Sequence, residues 1–386
     1  MASQFSATSS AIEAVIDLDA IASNIRTLKS FAPNSELMAV VKADGYGHGA
    51  IGVAATARSA GATWLGVVSV DEALELRAAG DTGLILSWLN SRDARFADAI
   101  AAGVHLSSSS TGLLDVIAAA ARAAGAPAVV HLAVDSGLGR EGAPVGAQWH
   151  DLVAHAARLQ RDGAIDVQGV WSHLAFADLS NSATIDAQAH EFKAACAFAR
   201  EAGLPIKYAH LANSAASLTR PDIHFDIIRP GLAVYGLSPT ADAAEVRLTP
   251  AMTVTAAVVD VKRVPAGHGV GYGHTYRADK ETTLVLLAAG YADGFPRAGS
   301  NKPLVSINGR RFNIAGRISM DQMAVDVGDH PVDVGDRAVL FGPGTHGEPT
   351  AEDWARECGT INYEIITRLG RRIKRTYVGG GIGGDL

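Results

Sequence analysis

The chain has 386 residues, of which 48% are hydrophobic and 19% are charged, and both values are ordinary for a globular protein. Its 33 basic and 40 acidic residues give a net charge of −7, which argues against a nucleic-acid or membrane-surface role because both favour basic patches. Two cysteines are too few for a disulfide framework or a structural zinc site, so a reducing, cytoplasmic compartment is expected.

Composition at the two ends of the chain predicts neither a secretion signal nor a membrane span. Residues 1–20 lack the basic-then-apolar pattern of a signal peptide, and no run of about 18 apolar residues is present. The glycine-rich segment 379–386 is predicted to be a flexible tail. A chain of this length is expected to form two or three domains, or one large barrel with an addition.

The predicted elements begin with a strand at EAVIDL, and residues 10–18 are expected to join a later β domain. From about residue 36, short β-branched apolar runs alternate with segments rich in Ala and Leu that have a helical period. Continuous apolar runs of this kind suit a sheet that is buried on both faces. The predicted strands of this series lie at 37–41, 64–70, 83–89, 104–107, 128–134, 167–174, 207–212 and 225–229.

Helix candidates fill most of the intervals between these runs. Residues 71–80 predict a helix with Asp71 as N-cap and Gly80 as terminator. Residues 148–163 carry apolar side chains at helical spacing. Cys196 lies in another segment of helical character and is predicted to pack in the core.

About eight strand–helix units over roughly 200 residues predict an α/β fold with a (β/α)8 TIM-type barrel at 10–245. A doubly wound open sheet is the alternative, which strand number by itself does not exclude. After about residue 245, strand-like runs are joined by turn residues, and few helix candidates are present. This pattern predicts a mostly-β domain at 246–378.

The barrel prediction selects a group of polar residues, because active sites in such barrels lie on the loops that follow the strands. One lysine, two arginines and two histidines follow predicted strands, and their convergence indicates a site for an anionic ligand: Lys42, Arg140, His173, His210 and Arg229. Asn213, Ser214 and Gly231 supply small donors after the last two strands, where barrels often bind phosphate.

Lys42 directly follows an apolar strand, so part of its side chain is expected to be buried. Burial lowers the pKa of a lysine and makes its amine a nucleophile or a Schiff-base former. The alternative is a structural ion pair with Asp44. The spaced glycines Gly45, Gly47 and Gly49 favour the ligand interpretation, because glycine permits close approach of the backbone to a ligand.

The segment AVVKADGYGHGA at 39–50 resembles the cofactor-lysine motif of alanine racemases, which use pyridoxal 5′-phosphate (PLP). The similarity extends over nearly the whole chain, and the motifs form a highly specific set when taken together. They are, in order, HLANSAA (210–216), IIRPGLAVYG (227–236), GVGYGHTY (269–276), GYADGF (290–295), GRISMDQ (316–322) and TINYE (360–364).

The resemblance implies an isomerase that interconverts L- and D-alanine and supplies D-alanine for cell-wall peptidoglycan. It implies that Lys42 binds PLP covalently and serves as the base on one face, while Tyr272 from the partner subunit of a homodimer serves on the other. Further PLP contacts are implied for Tyr46, His173, Asn213, Ser214, Arg229, Gly231, Leu232 and Tyr363, with Arg229 at the pyridine nitrogen. Substrate contacts are implied for Arg140, Met320 and Tyr291, with His210 and Asp321 behind the contacting groups.

One position departs from the family pattern. Many relatives carry a lysine whose carbamate braces the substrate-binding arginine, and this chain has Ala133 there, so Arg140 must be held in another way. No metal site is predicted, because His, Cys, Asp and Glu show no ligand spacing. His105 and His131 are predicted to be surface or packing residues.

Three alternatives to an alanine racemase share parts of this pattern. A broader amino-acid or serine racemase has the same scaffold, although Met320 and Tyr291 argue for a narrow pocket. A PLP-dependent decarboxylase is expected to lack Tyr272 in this setting. A non-enzymatic PLP-binding barrel is expected to lack the β domain.

Overall fold

The computed structural model of the chain describes residues 10–176, 182–240 and 246–380. The chain divides into two compact units. The first comprises Met1–Ala20, Tyr46–Gly49 and Thr249–Leu386, and the second comprises Ile21–Gly45 and Ala50–Leu248. Of the predicted tail at 379–386, residues 381–386 lie outside the described part of the chain.

The helices and strands are numbered in chain order. The α-helices are α1 (Leu18–Phe31), α2 (Lys42–Tyr46), α3 (Ala50–Ser59), α4 (Val70–Ala78), α5 (Phe96–Ala101), α6 (Thr111–Ala124), α7 (Ala147–Arg161), α8 (Ala183–Glu201), α9 (Ser214–Thr219), α10 (Ala351–Cys358) and α11 (Asn362–Thr367). The strands are β1 (Ile12–Asp17), β2 (Glu36–Val40), β3 (Trp64–Val67), β4 (Leu84–Ser87), β5 (His105–Ser108), β6 (Ala128–Asp135), β7 (Ala143–Pro144), β8 (Ile165–Trp171), β9 (Tyr208–His210), β10 (Ile227–Ile228), β11 (Met252–Val264), β12 (Gly269–Val270), β13 (Tyr276–Arg277), β14 (Thr282–Leu287), β15 (Leu304–Ile307), β16 (Arg310–Ala315), β17 (Met323–Gly328), β18 (Arg337–Phe341) and β19 (Lys374–Val378).

The second unit contains the predicted barrel. Its parallel strands follow the order β10-β2-β3-β4-β5-β6-β8-β9, so each strand lies beside its neighbour in the chain and β10 returns to β2. The backbone N–H of Asp226, next to β10, donates to the carbonyl oxygen of Ala209 in β9 at 3.0 Å. The ring is therefore nearly closed. This order confirms the (β/α)8 barrel and excludes the doubly wound alternative, in which the strand order reverses at a switch point.

Local sequence explains why these segments form strands and helices. Every residue of β3 is buried, and β6 is buried along most of its length, as expected for apolar strands between a filled interior and a helical layer. Cys196 is buried in α8, as predicted. One predicted boundary was wrong, because α4 begins after Ser69, whose side chain accepts from Glu72 N, and Asp71 lies inside the first turn. A serine hydroxyl caps the helix there as well as a carboxylate would.

The described part of the first unit is mostly β, as predicted. Its main sheet has the order β14-β17-β16-β15-β18-β11-β1-β19. The long strand β11 pairs antiparallel with β18 through Val254–Ala257 and with β14 through Val258–Val264, and the β14 pairing has a bulge at Val258/Asp260. The early strand β1 pairs antiparallel with β11 and parallel with β19. No helix within the described ranges has the length and apolar character needed to cross a membrane.

Candidate active site

Lys42 begins α2, which is a short left-handed turn and not a regular α-helix. Ala43, Asp44, Gly45 and Tyr46 have φ values of 53°, 53°, 60° and 53°, in the left-handed region. This conformation costs about 1–2 kcal/mol for each residue with a Cβ atom, so surrounding contacts must hold it.

Two carboxylates of the second unit hold the turn. Glu72 accepts from the backbone N–H of Ala43 at 2.8 Å and from that of Val68 at 2.7 Å, so it ties the turn to the end of β3. Asp44 accepts from the backbone N–H of Ala50 at 2.9 Å. Asp44 is thus used to shape the loop, and the described residues contain no Lys42–Asp44 ion pair.

The amine of Lys42 makes no hydrogen bond or ion pair within the described residues. Burial lowers the pKa of Lys42, and the nearby Arg140 guanidinium lowers it further, whereas Glu72 and Glu141 oppose the shift. A lysine in this setting is a better nucleophile at neutral pH than an exposed lysine.

The three glycines of the motif lie against other parts of the same chain. A Cβ atom on Gly47 would overlap the carbonyl oxygen of Ile366, and one on Gly49 would overlap the Tyr377 hydroxyl. A Cβ on Gly45 would lie 3.3 Å from the backbone of Ala50. The space that a Cβ atom would occupy at these glycines is therefore filled by the same chain, and a close approach of their backbone to a ligand stays a prediction.

Arg229 is a buried cation, with 4% of its surface exposed. Its guanidinium donates to the carbonyl oxygens of Ser172 at 2.7 Å and Leu211 at 3.3 Å, and to His210 Nδ1 at 3.2 Å. It also lies 5.6 Å from the ring centroid of Trp171. No carboxylate forms an ion pair with Arg229 within the described ranges, and burial lowers its pKa to about 9. A buried cation in this state favours a ligand that offers an acceptor or a negative charge.

His173 and Glu141 lie in the same electrostatic environment. Burial lowers the pKa of His173 to about 3, with Arg229, Arg140 and Lys42 lowering it further, so the imidazole is neutral. Burial raises the pKa of Glu141, while the same three cations oppose the shift. Sequence reasoning missed Glu141, although its position directly after Arg140 was the available signal. The cations outnumber this carboxylate, which leaves the group suited to an anion.

Arg140 is exposed, and its side chain makes no hydrogen bond or ion pair within the described residues. Ala133 is buried in β6 and offers no polar group to hold it. The loop before Arg140 is shaped instead by Asp135, which accepts from the backbone N–H groups of Gly137 and Leu138, each at 2.9 Å. The backbone that carries Arg140 is thus held, while its guanidinium is available to a ligand.

The hydroxyl of Ser214, which follows β9, meets backbone N–H groups that follow β10. Ser214 Oγ accepts from the backbone N–H of Gly231 at 2.8 Å and from that of Ala233 at 3.3 Å. Asn213 caps α9 by accepting from Ala216 N at 3.2 Å, and Leu232 is fully buried. Both N–H groups are thus used by Ser214, and its own hydroxyl hydrogen can donate to an anionic oxygen such as that of a phosphate.

Three histidines of the second unit are joined inside the barrel. His210 Nε2 lies 2.8 Å from His131 Nδ1, and His131 Nε2 lies 3.1 Å from His105 Nδ1. His105 and His131 were predicted to be surface or packing residues, and both are buried, but the sequence did not indicate their connection to His210.

These imidazoles and His173 should make the protein acid-sensitive. Burial lowers the pKa of His105 to about 4 and holds those of His131 and His210 well below the usual value. At a pH below the unfolded-state histidine pKa of about 6.5, the unfolded chain therefore binds more protons than the folded chain. The free energy of unfolding consequently falls as the pH falls. We expect each such histidine to contribute up to about 1.4 kcal/mol per pH unit between about pH 6.5 and its folded pKa.

Urea unfolding measured from about pH 7 to about pH 5 checks this expectation, because carboxylates titrate mainly below that window. His105→Phe should reduce the slope, whereas His150→Gln on the exposed side of α7 should not. A free energy of unfolding that stays constant across the window would contradict the prediction.

The first unit carries the remaining predicted residues in two places. Tyr46 is 8% exposed, and its ring centroid lies 6.1 Å from that of Tyr363. Burial raises the pKa of Tyr46, and Tyr363 raises it further, so its hydroxyl remains a donor. His48 Nδ1 lies 3.0 Å from the carbonyl oxygen of Tyr46, in agreement with a role in shaping this loop.

Tyr272, Tyr291 and Met320 have exposed side chains in the single chain. Tyr272 is 71% exposed between Gly271 and Gly273, whose φ values are 67° and 72°. The backbone N–H of Tyr291 donates to the carbonyl oxygen of Ser319 at 3.0 Å, and this contact places Tyr291 beside the Met320 segment. Asp321 forms an ion pair with Arg372 at 2.7 Å.

Comparison with known proteins supplies the family. The family model described as the alanine racemase N-terminal domain matches residues 16–239, and that of the alanine racemase C-terminal domain matches residues 251–377. The chain belongs to the alanine racemase family. Alanine racemase of Salinispora arenicola is 51% identical over 368 residues, which cover 95% of this chain and 98% of that protein.

Solved structures of alanine racemases agree with the fold as well as the sequence. The crystal structure of the alanine racemase from Streptomyces lavendulae has a TM-score of 0.95 and 48% identity, with 97% of this chain and 98% of that chain covered. The alanine racemase of Streptomyces coelicolor has a TM-score of 0.93 and 48% identity, with 95% and 98% covered. The barrel and the antiparallel β domain are thus those of the alanine racemase fold.

Proposed function

We propose that this chain interconverts L-alanine and D-alanine with PLP by a two-base mechanism, in which Lys42 and Tyr272 act on opposite faces of the substrate. Racemisation of alanine follows from membership of the family. The observation that carries the assignment of roles is the setting of Lys42, a half-buried lysine near Arg140 and Arg229 whose pKa is lowered by burial and by these cations.

The residues of the second unit fit PLP group by group. The Lys42 amine suits the aldehyde, and the hydroxyl of Ser214, which the Gly231 N–H orients, suits the phosphate. Arg229, which has no carboxylate partner among the described residues, suits the ring nitrogen. We assign PLP contacts to Lys42, Tyr46, His173, Asn213, Ser214, Arg229, Gly231, Leu232 and Tyr363. Bound PLP supplies an electron sink that acidifies the Cα–H bond of the substrate.

Two bases explain how the configuration is reversed. Racemisation removes a proton from one face of Cα and returns a proton to the other, and groups on opposite faces do this without turning the substrate over. We assign one face to Lys42 Nζ and the other to the hydroxyl of the partner subunit's Tyr272. A phenol has an ordinary pKa of about 10, so Tyr272 needs a polar or cationic environment in the assembled site to accept a proton.

We propose that the active form is a homodimer with shared sites. Support comes from Tyr272, Met320 and Tyr291, which are 71%, 53% and 41% exposed in the single chain. Exposed aromatic and methionine side chains of this kind are enriched at interfaces. A cytoplasmic location and the supply of D-alanine for peptidoglycan stay predictions from the family.

The proposed substrate contacts favour a small amino acid. We assign the substrate carboxylate to Arg140, whose guanidinium is available, and to the backbone near Met320. Met320 and Tyr291 would narrow the entrance, which favours alanine over larger side chains. We place Asp321 behind this contact through its ion pair with Arg372.

The proposal is tested with purified protein loaded with PLP. We expect a visible absorption band from the lysine-bound cofactor and loss of optical activity from L-alanine, with slower loss from L-serine. A protein that binds PLP and leaves L-alanine optically active would refute the proposed function. Equal rates on the two amino acids would instead assign a broader racemase.

Arg229→Glu is expected to raise transamination relative to racemisation. A guanidinium facing the ring nitrogen of bound PLP would disfavour protonation of that nitrogen and weaken the electron sink, whereas a carboxylate there would favour its protonation and strengthen the sink. The measurement is the ratio of pyruvate formed to alanine racemised, with wild-type protein as reference. An unchanged ratio in a variant that still binds PLP would count against this role.

A further inference from the structure

Three imidazoles from three different strands form a line inside the barrel that ends at Arg229. His105 lies on β5, His131 on β6 and His210 on β9, and they are 6%, 0% and 0% exposed. The line runs from Arg229 to His210 Nδ1 at 3.2 Å, from His210 Nε2 to His131 Nδ1 at 2.8 Å, and from His131 Nε2 to His105 Nδ1 at 3.1 Å.

The direction of every hydrogen bond in this line follows from Arg229. A guanidinium only donates, so His210 Nδ1 must accept, and a neutral His210 then carries its proton on Nε2. That N–H donates to His131 Nδ1, which places the proton of His131 on Nε2, from where it donates to His105. One obligatory donor thus determines the tautomer of all three rings.

The packing around His131 is built for an imidazole. Tyr208 stacks on the ring at 5.9 Å between centroids with 9° between planes, and Trp64 packs edge-on at 5.5 Å. Gly169 lies opposite His131 in the β6–β8 register, and a Cβ atom there would overlap the imidazole. Barrel interiors of this type are dominated by branched apolar side chains, so a buried line of histidines in their place calls for a reason.

We propose that His131 and His105 are positioning residues that orient His210 and thereby hold the guanidinium of Arg229 in the plane it presents to the cofactor. The proposal rests on the proposed function only in the clause that places Arg229 against PLP. Burial keeps the three rings neutral, so each Nδ1 stays available as an acceptor. Residues that orient the ligands of a metal site change affinity or activity by about 10–100-fold when replaced, and we expect an effect of similar size here.

The first test uses the protein without PLP and does not depend on activity. Ring nitrogen spectra of the protein labelled with 15N-histidine should show His210 and His131 as neutral rings protonated on Nε2. His131→Phe should move the His210 Nε2–H resonance, because that group loses its acceptor, whereas His150→Gln should leave it unchanged. A proton on Nδ1 of either ring, or an unmoved His210 signal in His131→Phe, would overturn the proposal.

The second test separates positioning from packing. His131→Phe keeps a ring but removes the acceptor, and we expect kcat to fall about tenfold with KM for L-alanine changed less than about twofold. His131→Asn places an amide oxygen where Nδ1 accepts, and it should restore kcat to within about threefold of wild type. Equal kcat values for the two variants would overturn the proposal.

The two tests also distinguish this proposal from the proposed function. If the wild-type protein does not racemise alanine, the proposed function fails. The nitrogen spectra still show whether His210 and His131 have the proposed tautomers. If His131→Phe does not fold, the wild-type spectra and His131→Asn decide in its place.

Discussion

Lys42→Ala is expected to abolish the visible band of the lysine-bound cofactor and to reduce racemisation by about 10⁴-fold or more, because the variant lacks both the covalent attachment and one base. Lys42→Arg separates the loss of imine formation from the loss of charge, because arginine keeps a positive charge at the end of β2 but cannot form an imine. We therefore expect Lys42→Arg to be as inactive as Lys42→Ala while retaining more non-covalent PLP.

Lys207→Ala is the matched control, because Lys207 is an exposed lysine of the same unit. It should keep the band and the activity of the wild-type protein. A Lys42→Ala protein that kept both would refute the assignment of Lys42.

Tyr272→Phe has the second largest expected effect. It removes one hydroxyl and should leave PLP bound through Lys42, with racemisation reduced by about 10³-fold. The two-base assignment also predicts unequal hydrogen exchange in the two enantiomers, because each base exchanges the Cα proton of one enantiomer only. In D₂O the variant should incorporate deuterium into one enantiomer of alanine at a near-normal rate and into the other very slowly.

Tyr276→Phe serves as the control for this variant. Tyr276 lies near Tyr272 in the chain, and its hydroxyl donates to Asp326 at 2.6 Å. Its loss should cost stability but leave exchange symmetrical between the enantiomers. Symmetrical slowing in Tyr272→Phe would contradict the two-base mechanism.

Mixing the two inactive variants tests whether sites are shared. If each site uses Lys42 of one subunit and Tyr272 of the other, a mixed dimer has one intact site and one site with both defects. Random exchange of subunits then yields about a quarter of the wild-type number of sites. Verified mixed dimers without activity would refute shared sites.

Much of the fold could be predicted because it depends on local sequence. The alternation of apolar strands with helical segments is a periodic signal, and the observed strand Ala128–Asp135 differs by one residue from the predicted run 128–134. The positions of the Lys42, Tyr272 and Met320 motifs are likewise local properties of the chain, which is why family resemblance could be read from them. The N-cap of α4 was missed because both Ser69 and Asp71 are good caps, and the choice depends on which backbone N–H each side chain reaches.

The sequence by itself thus predicted the barrel, the β domain and the family, while the strand order excluded the doubly wound alternative. Tertiary structure alone decided how the site residues are held, because each contact joins segments far apart in the chain. Glu72 supports the left-handed turn at Lys42 from 29 positions away, and the three motif glycines make room for the chain itself. The line from Arg229 to His105 depends on the register of β5, β6 and β9 around the barrel, which no local period specifies.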